Sequence, residues 1–274
     1  MKYAIVDIGS NAIKYKIFNG GLELIEYYRH PLRLGRDVFS KGYLEDITIQ
    51  DLLNLLLDYK KNFKSKNISS VNYIGTSALR DTQNAKEIIE LLKQHDIHVK
   101  IISGDVEAFL LAEFNKSKIN SAVIYIGGGS LEICINNNND IHAKSFQLGA
   151  VRLLNFSETQ KSEALQELSL WLRQFKSIDH LYGLGGNLRA LMQANEIKGP
   201  INASDFNNYI NNYLSIDDTV LIEKYEIPKD RIDIIPEALN LYSLIIQELN
   251  SHVIENTFWS ISDGLVRKVL KDQL

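Results

Sequence analysis

Twice in this chain an apolar run stops at a glycine-containing corner and a second run begins directly after it. Tyr3-Ala4-Ile5-Val6 leads into Asp7-Ile8-Gly9-Ser10-Asn11 and then Ile13 to Phe18; Ala122 to Ile126 leads into Gly127-Gly128-Gly129-Ser130 and then Leu131 to Ile135. Runs of this length read as strands, the first buried and Ile13 to Phe18, with its alternating lysines, half-exposed. Each corner is then a hairpin. Gly9 lets the backbone approach a ligand, Ser10 and Asn11 offer hydroxyl, amide and main-chain donors to an anion, and Asp7 is placed to hold a metal or a water. Phosphate fits this inventory. Alone, the first corner is equally an ordinary turn with a solvated Asp, and a single glycine loop also serves plain hairpins. Two such corners, a small domain's length apart, predict two related lobes that each offer a phosphate-binding hairpin to a shared cleft.

Composition narrows the class. With 274 residues, 45% hydrophobic and 23% charged, the chain can bury a large core in one or two domains. No apolar run has the roughly 18 residues that a membrane span needs, and the N-terminus enters a strand without a signal-peptide pattern. The single Cys134 cannot form an internal disulfide, so a reducing cytoplasm is the expected setting. A net charge of −4 argues against general nucleic-acid binding, so an anionic substrate must be met by local basic clusters.

Such a cluster follows the first hairpin: Arg29, Arg33, Arg36 and Lys41 surround Gly35 and Gly42. Next come an expected strand at Val71 to Ile74, a loop with Thr76, Ser77 and Arg80, and a helix whose apolar face is Ile88, Ile89, Leu91 and Leu92. The strand of His98 to Ser103 runs into Gly104 and a helix containing Glu107. By residue type Arg80 is equally a surface charge, and Glu107 equally a solvated acid favoured by the helix dipole. Farther along, Gly183, Gly185 and Gly186 stand between a strand and a helix, as an anion contact or a packing corner. Arg231 and Asp233 read as a structural ion pair as readily as a site. Polar residues at 115 to 121 mark the expected break between lobes, and 136 to 140 read as a hairpin loop.

In number, order and spacing these segments resemble the exopolyphosphatase and guanosine pentaphosphate phosphohydrolase family, in its short two-domain type. "VDIGSNAIKYKI" is similar to its first phosphate motif, "TSALRDTQN" to its arginine loop, "IISGDVEAFLL" to the segment with its catalytic glutamate, and "IGGGSLE" to its second phosphate motif. "LGAVRL", "LGGNLRAL" and "SDGLVRKVL" follow in the family's order. The resemblance implies an α/β, two-lobed, actin-like fold of ribonuclease H-like mixed sheets flanked by helices, with lobes at 1–118 and 119–274. It implies hydrolysis of terminal phosphate from polyphosphate or guanosine pentaphosphate in the cleft between lobes, and a link to the stringent response. Glu107 would activate the water and Arg80 would bind the phosphoryl group. Gly9, Ser10, Asn11, Gly127, Gly128, Gly129 and Ser130 would hold phosphates, Arg29, Arg33 and Arg36 would line the channel, and Asp7 would meet Mg2+. A homodimer is left open as the assembly.

Two departures stand out. Relatives usually carry Asp where this chain has Tyr125, and a phenol is a poor ligand for a hard cation. Ala12 replaces a usual Ser or Thr. A catalytically weak sensor of phosphate or alarmone is therefore the competing expectation. A sugar kinase or filament-forming member of the same fold is the third, and no sugar-binding loop with its own catalytic Asp supports it. The chain is also expected to lack the additional C-terminal domain of longer relatives.

Overall fold

The computed structural model describes residues 1–175 and 178–271. Two compact units result: residues 1–106 with the helix Ile261–Lys271, and residues 107–260. The first contains a five-stranded sheet of β1 (Lys2–Ile8), β2 (Ile13–Asn19), β3 (Leu24–His30), β4 (Ser70–Gly75) and β5 (Val99–Ile101), in the order β3-β2-β1-β4-β5. The first three strands form an antiparallel meander, and β4 and β5 run parallel to β1. β1 is nearly continuous in apolar residues because both of its faces are covered. Ala4, Val6 and Ile8 join Leu52, Leu56, Tyr59 and Phe63 of the helix Asp46–Ser65 in one buried cluster. On the other face, Ile5 lies opposite Lys16, and the helix Ile261–Lys271 packs on β1.

That packing corrects the half-exposed reading of β2. Lys16 is buried, and its ammonium donates to Asp263 Oδ2 at 2.5 Å. A buried charge persists only when paired, so the lysine that looks solvated by type instead ties the distant helix to the sheet.

The second unit repeats the plan with β6 (Ser121–Ile126), β7 (Leu131–Asn137), β8 (Asp140–Phe146), β9 (His180–Leu184), β10 (Ile201–Asn202) and β11 (Val253–Thr257). Their order is β10-β11-β9-β6-β7-β8. Again three strands form an antiparallel meander, and β9 then β11 add in parallel beside its first strand. Helices flank these strands, including Glu158–Leu172, started by a Ser157/Gln160 capping box, and Ile235–Glu248. Two ribonuclease H-like units of matching topology are the actin-like fold class expected. Each glycine corner joins the first strand of its meander to the second.

The change of unit falls at 106/107, inside the helix Gly104–Leu110, whereas the sequence reading sets the lobe boundary at 118. The polar stretch 115–121 is no linker. Asn115 is fully buried and donates to the carbonyls of Ser121 and Cys134 at 3.2 and 3.0 Å. Ser121 Oγ donates to Asn115 Oδ1 at 2.6 Å, and Asn136 Nδ2 donates to the Asn115 carbonyl at 2.9 Å. These polar side chains satisfy buried backbone groups within the second unit. The expected hairpin loop at 136–140 narrows to a two-residue turn. Asn137 pairs with Asp140, and Asn138 and Asn139 take φ of 54° and 72°, the pair of left-handed residues that a type I′ turn needs.

Candidate functional site

The first corner, residues 9–12, closes β1 onto β2, with Ile8 opposite Ile13. Asp7 stands opposite Lys14, which stands opposite Arg29, so three charges cross the sheet in one row. Lys14 Nζ lies 3.5 Å from Asp7 Oδ2, and Asp7 Oδ1 faces the corner, 3.6 Å from where a Cβ on Gly9 would sit. Neighbouring segments fix the loop. Gly35 N–H donates to the Ser10 carbonyl at 2.7 Å, Arg33 Nε donates to Asn11 Oδ1 at 2.8 Å, and Thr76 N–H donates to the Ile8 carbonyl at 3.3 Å. Ser10 is buried, with its hydroxyl 2.8 Å from that of Ser77. A serine hydroxyl can accept from one neighbour and donate to another, so this pair can pass a donor toward an anion.

Of the basic residues singled out in the sequence, Arg33 therefore braces the loop, Arg29 sits in the charged row, and Arg36 is exposed on the helix Leu34–Lys41. Arg80 lies on a short helix, Ser77–Asp81, where a loop was expected. Its Nη1 donates to the Ile102 carbonyl at 2.9 Å, and its Nε lies 3.5 Å from Asp81. It is not the surface charge that its type suggests. Ile102 leads into the helix Gly104–Leu110, where Glu107 is 2% exposed while Asp105 and Val106 are exposed. The solvated-acid reading of Glu107 is thereby excluded.

At the second corner the loop is held through its carbonyls. Those of Gly127 and Gly128 accept from the N–H groups of Ala150 and Val151, each at 2.9 Å, and Gly128 also accepts from Arg152 N–H at 3.0 Å. The Gly129 carbonyl accepts from Arg152 Nε at 2.6 Å. Among the described residues all peptides are trans, so each C=O points opposite to the N–H that follows it. Fixing three carbonyls toward residues 150–152 turns the N–H groups of Gly128, Gly129 and Ser130 away from them. Neutral donors so arranged suit an anion.

Tyr125, at the position of the expected Asp, lays its ring against this loop. Its ring atoms lie 3.4 Å from where a Cβ would stand on Gly127 and on Gly185. Glu132 is buried and accepts from Ser145 Oγ at 2.9 Å. At the third glycine turn, Gly185 has φ of +90° and Gly186 opens the helix Gly186–Ala194. The guanidinium of Arg231 occupies the space where a Cβ on Gly186 would be, and it donates to Asn187 Oδ1 at 3.3 Å. Asn187 Nδ2 in turn donates to the Ile126 carbonyl at 3.1 Å. Close packing thus accounts for Gly186 without a ligand.

Among the described residues no group of three or more His, Cys, Asp or Glu side chains is placed to hold a metal ion. Magnesium, however, is commonly held by one or two carboxylates together with substrate phosphates. Asp7, facing the first corner, fits that role; the Tyr125 phenol does not. The sequence reading missed Lys14 and Arg152 and named Ser77 without a role. Lys14 was within reach, since counting back from the hairpin places it opposite Asp7.

Two matching units with glycine corners at the same junction define a member of the actin-like fold class. The chain belongs to the Ppx/GppA phosphatase family, whose pattern matches residues 15–273. It is 30% identical over 225 residues to a bifunctional 3-dehydroquinate synthase/phosphatase of Fusobacterium nucleatum, covering 70% of this chain and 34% of that protein. It is 27% identical over 158 residues to a guanosine-5'-triphosphate,3'-diphosphate pyrophosphatase of Pseudoalteromonas atlantica, covering 54% of this chain and 31% of that one. The matches thus span about a third of each of these relatives. Among solved structures, an exopolyphosphatase from Cytophaga hutchinsonii superposes with a TM-score of 0.85 at 20% identity, covering 99% of this chain and 98% of that one. Among the described residues no helix is long and apolar enough to cross a membrane.

Proposed function

We propose that this protein is a phosphohydrolase releasing terminal orthophosphate from inorganic polyphosphate or guanosine pentaphosphate. The observation that carries the reading is the repetition of a braced glycine corner at the same junction of two matching sheets, in a chain of a phosphatase family. The names of its relatives supply the two substrates. Phosphoryl transfer asks a protein mainly for positioning and for donors aimed at developing charge. In this reading Gly9, Ser10, Asn11 and Gly127 to Ser130 supply neutral donors to phosphate oxygens, and Arg80 supplies a fixed cation. Glu107 takes a proton from the water that attacks the terminal phosphorus. The anhydride P–O bond breaks, and the shortened phosphate chain leaves with the bonding electrons. Magnesium bound with the phosphates would neutralise part of their charge, and Asp7 would be its protein carboxylate. Arg29, Arg33 and Arg36, with Lys14, meet the rest of the polyanion.

The test is phosphate release by purified protein with magnesium from each substrate. Glu107→Gln should lower the rate about 10²–10⁴-fold while leaving substrate binding measurable. An unchanged rate in a verified activity would remove Glu107 from the water-activating role. A second reading, a binding sensor with weak catalysis, is favoured by Tyr125 standing where the family resemblance implies an Asp. Wild-type protein that binds either substrate and hydrolyses neither would select it.

A further inference from the structure

We infer that Arg152 and Gly149 set the orientation of the second phosphate loop, making Arg152 a positioning residue that acts on substrate through that loop. The inference rests on the phosphohydrolase reading above. Three consecutive glycines have the greatest backbone freedom available and no side chains to restrict it. Their peptide planes must be fixed from outside. A flip of the Gly129–Ser130 peptide would turn a carbonyl oxygen toward the anion and withdraw the Ser130 N–H, converting a donor into a repulsive acceptor.

The segment after β8 prevents this at each plane. Ala150 N–H holds Gly127, Val151 and Arg152 N–H groups hold Gly128, and the Arg152 side chain holds Gly129. The last bond, from Nε at 2.6 Å, is charge-assisted and comes from a planar group with a fixed donor direction. Lysine could place a charge nearby but not this geometry. Gly149 completes the contact: a Cβ there would fall within the backbone of Gly129 and Ser130, so only glycine permits the segment to lie this close. The clamp requires both residues for different reasons, one electrostatic and one steric. That difference makes it testable.

The experiment compares wild type with Arg152→Gln, Arg152→Lys and Gly149→Ala by titration with inorganic phosphate and with polyphosphate. Backbone amide resonances of the ligand-free proteins are recorded in parallel. All three variants should shift and broaden the amides of Gly128, Gly129 and Ser130, leave those of Gly9 to Asn11 unchanged, and weaken anion binding by at least about 10-fold. Gly149→Ala removes no charge, so weaker binding there identifies loop orientation as the cause. Loss in the Arg152 variants with an unaffected Gly149→Ala would overturn the inference in favour of a direct charge contact. Unchanged loop amides in Arg152→Gln would overturn it outright. Wild-type protein that binds neither anion would instead refute the phosphohydrolase reading, and the amide resonances would still decide whether the clamp exists.

Discussion

Tyr125 packs its ring against two glycine turns at a position where the family resemblance implies a carboxylate. Its ring fills the space between Gly127 and Gly185, where a carboxylate would leave a gap. Tyr125→Asp should therefore strengthen magnesium dependence and raise turnover, and lower stability by about 1–3 kcal/mol for the packing lost. Titration with magnesium and a thermal melt separate the two effects; unchanged rate and metal affinity would show that the site is organised without position 125. Glu26 offers a pH test. Lys66 and then Tyr15 hydrogen-bond its carboxylate and hold its pKa below the ordinary carboxyl range. A depressed folded-state pKa stabilises the protein above the unfolded value of about 4.3, and the contribution is lost as pH falls through the lower folded value. Glu26→Gln should cost stability at pH 7, and that cost should shrink progressively as pH is lowered beneath the unfolded value, as denaturant midpoints measured across that range would show. At this scale the sequence displayed residue types but not partners. Lys16 and Asn115 look solvated because the groups that satisfy them, Asp263 and the carbonyl of Cys134, are remote in sequence.

Elements were legible where the signal is local. Both glycine corners, the Ala85–Gln94 helix and the β7–β8 hairpin follow from turn chemistry and periodicity read over a few residues. The hairpin is directly testable. Asn138→Ala forces a Cβ-bearing residue without a helpful amide into the left-handed region, and should cost about 1 kcal/mol. Asn139→Gly should cost no stability, since glycine accepts that conformation freely. A shift of the urea midpoint at constant slope would report each change. Equal losses in both variants would mean that the asparagine side chains, not their backbone conformations, matter. What stayed hidden is tertiary. Residues 77–81 are too few for periodicity to distinguish a helix from a loop, and the clamp at 149–152 depends on which loop it meets.

For the whole molecule, the remaining prediction concerns the polyanion. Binding to polyphosphate should weaken more steeply with salt than binding to guanosine pentaphosphate, because more counterions are released by the longer ligand. Arg36→Ala should flatten the polymer's salt slope alone. Arg33→Ala should also weaken binding of both substrates, since Arg33 braces Asn11. A polymer affinity indifferent to salt would count against a basic channel.

The first unit is assembled from two separated stretches, tied by a lysine and an aspartate 247 positions apart. On the ribosome this reverses the usual order of completion. The second unit is one continuous stretch and can finish once residue 260 has emerged, whereas the first, although begun earlier, must wait for the helix that starts at Ile261. Until then the face of β1 on which that helix packs stays uncovered and Lys16 lacks Asp263, so the nascent chain carries a sheet with one face open throughout the synthesis of the second unit.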